Sequence, residues 1–411
     1  MIKNVVILMG RGIEGCGVTK YTIELAKYLG KKGYIYKILA SGDKNWSRKK
    51  SHPVDNIELV KFADDSKLEG IVATCNSADV VLINSLPVKN IGNSRGYPEE
   101  AIENFKKIIG SITKPIIPIQ HDHNNLSIIR NGALEEVLDK CRAVFSHAED
   151  NDFVKFVKNY TNDGNPLMSF FGESRSIPIH TFQPGMYFDE VRKKYWKPVN
   201  QIDKRINRWI GRCVTWKGYD PIIKFHKQYL RQAGYCTVLE GIEKSPAFLD
   251  FKDKYEFINN TAVDIKDVDL KQHYGEDVMV FNIFNNEELL ERMSTTGFGY
   301  QLTHLDPSYV KHSIEYTHCE VPSTGTISVF NEKFGKLCIH RKTGNPIIED
   351  DSGTLWLSYD NMPETLEKIN KLSNDDVLYD ETREKIYEYY KSHQDADAVF
   401  DELMNKIGEY A

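Results

Sequence analysis

Asn207-Arg-Trp-Ile-Gly-Arg-Cys-Val-Thr-Trp-Lys-Gly218 is the stretch on which both fold and chemistry turn. Arg208–Ile210 reads as a short strand and Gly211 as the turn that ends it. Arg212 and Lys217 follow as two long cations on the loop beyond. Cations beside a glycine turn at a strand end suit a diphosphate, because ligands of open α/β sheets bind outside the carboxyl ends of the strands. Further on, Glu315-Tyr-Thr-His-Cys-Glu320 supplies carboxylates able to hold sugar hydroxyls, and Ser323-Thr-Gly-Thr326 follows them. Diphosphate cations followed by sugar-holding acids describe the donor half of a nucleotide-sugar transferase. Taken alone, the Arg212/Lys217 pair is more readily read as solvated surface charge, and what favours the diphosphate is its agreement with other parts of the chain.

Around this stretch lie further strand patterns at Cys236–Glu240, Asp277–Phe284 and Gly325–Phe330, with helical patterns over 220–233, 286–296 and 362–372. The first half has the same grammar. Val5–Met9 is an apolar run ended by Gly10, and 17–29 has helical spacing closed by Gly30 and Gly33. Tyr34–Ala40, Asp79–Asn84, Pro115–Gln120 and Ala143–Ser146 read as strands, with a helix over 133–142. Short continuous apolar strands alternating with helices predict parallel sheets covered on both faces. Between the halves, 164–186 carries Pro166, Pro178, Pro184 and several glycines, the composition of an interdomain crossing. The pattern from Asp380 to Gly408 predicts one long final helix.

Two domains are the expectation for 411 residues. A hydrophobic content of 41% and a charged content of 27% are those of a globular protein. No apolar run approaches the roughly 18 residues that span a membrane, and the N-terminus reads as a strand rather than a signal peptide. Seven scattered cysteines with no CxxC spacing suggest neither a disulfide framework nor a zinc site, which fits a reducing compartment. The net charge of −6 divides unevenly: 24 Lys and Arg face 21 Asp and Glu in residues 1–185, and 29 face 38 in 186–411. The first half is therefore the better surface for a polyanion. Its sharpest basic cluster is Lys44-Asn-Trp-Ser-Arg48-Lys49-Lys50-Ser-His52, with an ordinary solvated loop as the alternative.

Two motifs in the first half bear on chemistry. Gly10, Gly12 and Gly15 match GxGxxG between a strand and a helix, where backbone amides can approach a phosphate. A plain strand–helix turn is the competing reading, and Ser41-Gly42-Asp43 leaves the acidic ribose partner of a dinucleotide site poorly placed. That weakens an NAD-dependent oxidoreductase, which would also leave the second half unexplained. His121-Asp122-His123 follows the strand ending at Gln120, where Asp122 could orient or deprotonate a hydroxyl or stabilise an oxocarbenium ion. A hydrogen-bonded loop remains the alternative, and two His at i and i+2 are weak metal ligands. Ser245 before Pro246 reads as a helix cap, and Asp350-Asp351-Ser352-Gly353 as a turn.

Gly12-Ile-Glu-Gly-Cys-Gly-Val-Thr-Lys20, Gln120-His-Asp-His123, Asn207–Arg212, Thr215-Trp-Lys-Gly218, Ser245-Pro-Ala-Phe248, Arg292-Met-Ser294, Gly297–Leu302, Glu315-Tyr-Thr-His318 and Gln394-Asp395 together resemble the T-even phage DNA α-glucosyltransferase family, in order and from about residue 5 to about 405. The resemblance implies a GT-B α/β fold: two Rossmann-like domains facing a cleft, with the C-terminal helix returning to the first. Residues 1–185 plus about 388–411 would form the acceptor domain and 186–387 the nucleotide-sugar donor domain. It implies transfer of glucose from UDP-glucose to the hydroxyl of 5-hydroxymethylcytosine in duplex DNA, with retention, in the cytoplasm of an infected bacterial host. The modified DNA escapes restriction. Arg212 and Lys217 match the diphosphate positions, Glu320 the ribose carboxylate, Glu315 a carboxylate near the donor sugar, and Gly15 and Gly17 the loop near the sugar-phosphate. His121 and Asp122 match the acid–base or nucleophile candidates. DNA phosphates would meet Arg48, Lys49, Lys50 and Arg130. No tightly bound cofactor and no membrane partner is implied. A divalent cation, and the choice between a covalent glycosyl intermediate and same-face attack, stay open. So does the alternative of a GT-B glycosyltransferase with another sugar donor or a non-DNA acceptor. The stretches 91–98 and 159–180 and residues Val321-Pro322-Ser323 depart from the family pattern.

Overall fold

The computed structural model describes residues 2–13, 17–43, 55–87, 97–121, 133–163, 176–211, 217–240, 278–281, 286–303 and 312–411. The chain divides into two compact units. One comprises Met1–Gly185, Ser308–Ser313 and Ala396–Ala411; the other comprises Met186–Pro307 and Ile314–Asp395. Residues 388–395 thus group with the second unit, and a short piece around Ser313 with the first.

The first unit is built on a seven-stranded sheet: β1 (Asn4–Met9), β2 (Ile35–Ser41), β3 (Ile57–Val60), β4 (Val80–Ile83), β5 (Ile116–Gln120), β6 (Val144–Ser146) and β7 (Ile179–Thr181). Its order is β3-β2-β1-β4-β5-β6-β7, and every pairing is parallel. Val5–Met9, Val80–Ile83 and Ile116–Gln120 are buried at every position, as a sheet covered on both faces requires. Helix α1 (Gly17–Lys31) turns Tyr21, Leu25, Tyr28 and Leu29 inward. It closes at Gly33, with φ +77°, where the Tyr34 N–H donates to the Leu29 carbonyl at 2.9 Å. Gly30 is still helical, so Gly33 alone makes that stop.

The second unit carries a six-stranded sheet: β8 (Asp203–Ile210), β9 (Cys236–Glu240), β10 (Val278–Phe281), β11 (Thr296–Gln301), β12 (Ile327–Asn331) and β13 (Leu355–Leu357). Its order is β10-β9-β8-β11-β12-β13, again wholly parallel. The strand expected at 208–210 begins at Asp203, and the one expected from Gly325 begins at Ile327, because Gly325 has φ +80°. The expected 220–233 helix is α-helical over Tyr219–Phe225 and widens to a π-turn over His226–Leu230, where buried His226 meets the Thr237 hydroxyl at 2.8 Å. Asp350–Gly353 is the turn expected, with the Ser352 N–H donating to the Asp350 carbonyl.

The single final helix expected over 380–408 is two, Asp376–Gln394 and Ala396–Gly408. The break falls at Asp395, where the Gln394 carbonyl instead accepts from the Met186 N–H at 2.9 Å. Ala396–Gly408 packs on the first unit. Phe400 meets the rings of Tyr21 and Tyr28 at 5.5 and 5.6 Å, and Asp401 accepts from the Tyr28 hydroxyl at 2.5 Å and from Lys32 at 2.9 Å. Among the described residues, no helix is long and apolar enough to cross a membrane.

Candidate functional site

Each sheet has one place where successive strands leave in opposite directions: between β1 and β4 in the first unit, and between β8 and β11 in the second. Outside the carboxyl ends at such a crossover, two diverging loops leave a crevice. Of the residues singled out by sequence, His121 lies at the first and Lys217 and Glu315 at the second.

In the second unit Gly218, beyond β8, lies against Leu302 at the end of β11. It has φ +73°, and a Cβ there would collide with the carbonyl of Leu302. The Trp209 indole N–H donates to the Lys217 carbonyl at 3.3 Å. So fixed, the Lys217 ammonium donates to both Glu315 carboxylate oxygens, at 2.7 and 2.5 Å, and stands 3.4 Å from the Thr303 hydroxyl. Only 13% of the Lys217 side chain and 23% of that of Glu315 is exposed, so water screens this pair weakly. Gln301 and Thr303, at the end of β11, complete the cluster. The Gln301 amide donates to Glu315 at 3.4 Å and to the Thr317 hydroxyl, and its oxygen accepts from the Thr303 hydroxyl at 2.8 Å.

Glu315 is the residue before helix Tyr316–Ser323, and its side chain makes no capping bond of its own. The carboxylate is turned toward Lys217 instead. Glu320 lies on the same helix and is 4% exposed. Nearby, burial and then the charge of Glu315 push the Cys338 thiol up from its ordinary value, so it stays a protonated, packing group. Sequence reading assigned Lys217 and Glu315 to different parts of a ligand; the structure joins them directly. It also adds Gln301, which lay in the Gly297–Leu302 motif with no role assigned, and Thr303 just beyond it. Arg212 lies outside the described residues.

In the first unit the described residues at the crossover are joined by hydrogen bonds between polar groups. The Gly10 N–H donates to the Ser85 carbonyl at 2.9 Å, and a Cβ on Gly10 would run into Pro87. The Gly12 N–H donates to the Tyr97 hydroxyl at 2.8 Å. Two of the three fingerprint glycines therefore have structural uses. Gly17 is exposed and opens α1, while Gly15 lies outside the described residues. Asp43 is occupied by the Ser41 hydroxyl and the N–H groups of Phe62 and Ala63, at 2.8, 3.0 and 3.0 Å, and so is not placed as a ribose ligand.

His121 follows β5 and shares a 2.5 Å hydrogen bond with the Asn84 side chain. Its ring is packed edge-on by Tyr21, Phe182 and His147, with centroids at 4.9, 4.9 and 5.2 Å. His147 in turn meets the Ser313 hydroxyl at 2.6 Å. Burial drives the Tyr21 phenol upward, so this hydroxyl stays protonated. Asn84, Tyr21 and His147 were not singled out from the sequence. Asp122, Arg130, Arg48, Lys49 and Lys50 lie outside the described residues.

The DNA alpha-glucosyltransferase family model matches residues 16–377. A DNA alpha-glucosyltransferase of Enterobacteria phage T4 is 37% identical over 412 aligned positions, covering 98% of this chain and 99% of that protein. A solved alpha-glucosyltransferase in complex with UDP superposes with a TM-score of 0.85 at 35% identity, over 98% of this chain and 99% of that one. Another, in complex with UDP-glucose and DNA containing an abasic site, gives 0.83 at 34% identity with the same coverage. A more distant Anabaena protein, at 11% identity and a TM-score of 0.61, shares the fold alone. Two parallel Rossmann-like sheets, the last helix packed on the first of them, and similarity along nearly the whole length agree: the chain belongs to the DNA α-glucosyltransferase family.

Proposed function

We propose that this enzyme transfers glucose from UDP-glucose to the hydroxyl of 5-hydroxymethylcytosine in duplex DNA, with retention at the anomeric carbon. The observation that carries this reading is 37% identity across 98% of the chain to the phage T4 enzyme. Solved relatives in complex with UDP-glucose, and with DNA containing a modified base, agree with it. The setting is the cytoplasm of an infected bacterium, where glucosylated DNA escapes restriction.

In this reading the second unit holds the donor. The bond between the anomeric carbon and the phosphate oxygen breaks, and its electron pair leaves with UDP. Arg212 and Lys217 stabilise the diphosphate charge as it grows. Glu315 lies near the sugar and Glu320 holds the ribose. The Lys217–Glu315 pair supports this division, since an ammonium held by a carboxylate at a crossover is preorganised for an anion beside a sugar. The first unit holds the acceptor: the hydroxymethyl oxygen bonds to the anomeric carbon, and its proton passes to a base supplied by the His121-Asp122 pair. Gly15 and Gly17 approach the sugar-phosphate. Arg48, Lys49, Lys50 and Arg130 meet DNA phosphates, and the target base leaves the stack to reach the site.

The test is transfer from radiolabelled UDP-glucose to duplex DNA with and without hydroxymethylcytosine. Label in the modified duplex alone is the expected result. Label in neither, with UDP binding intact by calorimetry, would assign the scaffold to another sugar or acceptor. Asp122→Asn should cut turnover while leaving UDP affinity largely unchanged; full activity would remove Asp122 from the chemistry.

A further inference from the structure

Asn84 follows β4 at the first unit's crossover and is completely buried. Its side-chain amide is held at both ends. Nδ2 lies 2.5 Å from the Thr22 hydroxyl oxygen, and Oδ1 lies 2.5 Å from His121 Nε2. Thr22 sits within α1, and its hydroxyl donates to the Val18 carbonyl one turn earlier, at 3.0 Å. A hydroxyl has one proton to give. Directed to the Val18 carbonyl, or to Met9 Sδ at 3.4 Å, that proton leaves lone pairs facing Asn84, which turns the amide NH2 to Thr22 and its oxygen to His121. An oxygen at 2.5 Å from Nε2 requires that nitrogen to carry a proton. In the neutral imidazole the lone pair is then on Nδ1. The ring cannot readily turn over to exchange its nitrogens, because Tyr21, Phe182 and His147 pack around it.

We propose that Asn84, oriented by Thr22, is a positioning residue that fixes His121 as the Nε2–H tautomer and makes Nδ1 its proton-accepting nitrogen. The proposal rests on the acid–base role read above for the His121-Asp122 pair. When Nδ1 takes a proton, the Nε2–H bond to the Asn84 oxygen strengthens, which favours the transfer without Asn84 touching the substrate. The residues that orient a functional imidazole also set which of its nitrogens reacts.

The experiment uses the full chain labelled with ¹⁵N-histidine. Long-range proton–nitrogen correlation spectra distinguish the two neutral tautomers, and His121→Gln assigns the signal. The wild type should show Nε2–H. Asn84→Ala should release the ring to a tautomer mixture and lower kcat by about 10- to 100-fold, with KM for UDP-glucose little changed. Asn84→Asp keeps an acceptor at the same place, and should retain Nε2–H and recover most of the rate. Thr22→Val is nearly isosteric and removes the hydroxyl. It should shift the tautomer in the same direction as Asn84→Ala, and it carries the test if the alanine variant fails to fold. An Nδ1–H signal in the wild type would overturn the proposal. So would a folded Asn84→Ala or Thr22→Val enzyme that keeps both Nε2–H and kcat. If His121→Gln retains full transfer, the acid–base reading of His121 fails, while the spectra still decide the tautomer.

Discussion

The two sheet crossovers occupy the same topological position and are furnished in opposite ways. At β8/β11 a cation and a carboxylate meet, Lys217 on Glu315, braced by Gln301 and Thr303. At β1/β4 the described groups form a hydrogen-bonded relay, Thr22 to Asn84 to His121, inside a wall of rings. A charged pair of low exposure suits a partner that brings or develops charge, as a leaving diphosphate and an oxocarbenium sugar do. A hydrogen-bonded relay ending on an imidazole suits a proton that must be taken up and later given away. In the proposed function, one scaffold used twice would separate charge stabilisation from proton management.

The sharpest way to break that contrast is to remove the charge from the second crossover. Lys217→Ala should lower kcat by about 10²–10³-fold, the usual cost of deleting one donor that stabilises developing charge. It also leaves the Glu315 carboxylate without its main partner, so UDP affinity should fall as well. Lys217→Arg should not rescue fully, because a planar guanidinium does not occupy the place of a compact ammonium. Steady-state kinetics with calorimetric titration of UDP checks this. Unchanged values would leave the pair as a structural brace and erase the functional contrast.

Backbone geometry is the next lever, since each crossover depends on a glycine for a different reason. At Gly218 the conformation is left-handed and the Leu302 carbonyl leaves no room for a Cβ; at Gly10 it is Pro87 that excludes one. Gly218→Ala should destabilise the second unit by about 1–3 kcal/mol, the cost of holding a non-glycine residue in a strained conformation, and should weaken UDP binding by displacing Lys217. Thermal denaturation with and without UDP separates the two effects. A variant that melts normally and binds UDP normally would show that the loop finds another path.

These levers also mark where the sequence was readable. β1, β4 and β5 are continuous apolar runs, and a strand buried on both faces has no other way to look. β8 was read only at its inner end, because Asp203–Ile206 alternates exposed and half-buried positions and its charged residues mask the strand. β11 was not read as a strand. It contains Gly297 and Gly299, which weaken any strand pattern. They are there for close approach: a Cβ at Gly297 would sit 2.6 Å from the Lys204 Cα, and one at Gly299 2.6 Å from the Met293 methyl. Helix Tyr316–Ser323 is buried at nearly every position and includes Pro322, so it shows no helical stripe. At the crossovers, residue type suggested Lys217, Glu315 and His121 because cations, acids and imidazoles stand out in a sequence. Their partners Gln301, Thr303, Asn84 and Thr22 are common polar residues, and only the pairing of β8 with β11, and of β4 with β1 and β5, brings them together.

The smallest expected effect compares the units away from their crossovers, where the same clamp occurs twice. In the first unit Tyr28 on α1 and Lys32, just beyond its end, grip Asp401 of the last helix. In the second, Tyr387 and Lys391 grip Asp189 on the 188–195 helix, at 2.6 and 2.7 Å. At Asp401 burial works against ionisation, but the hydrogen bonds from Tyr28 and Lys32 hold the carboxyl below its ordinary value. At Asp189 the bonds from Lys391 and Tyr387 dominate and act in the same direction. A carboxyl depressed in the folded state contributes stability that is fully present above its unfolded value, about 3.9, and is lost as pH falls through the folded value. Both aspartates are substantially exposed, so each clamp should contribute only about 0.2–1 kcal/mol at neutral pH. Asp401→Asn and Asp189→Asn should each lower the melting temperature slightly at pH 7, and progressively less as pH falls below about 3.9. Limited proteolysis should then tell the clamps apart: Asp401→Asn should expose the 396–408 helix first, whereas Asp189→Asn should leave that helix protected. Equal loosening of that helix in both variants would mean that its anchorage depends on the second unit as much as on Tyr28 and Lys32.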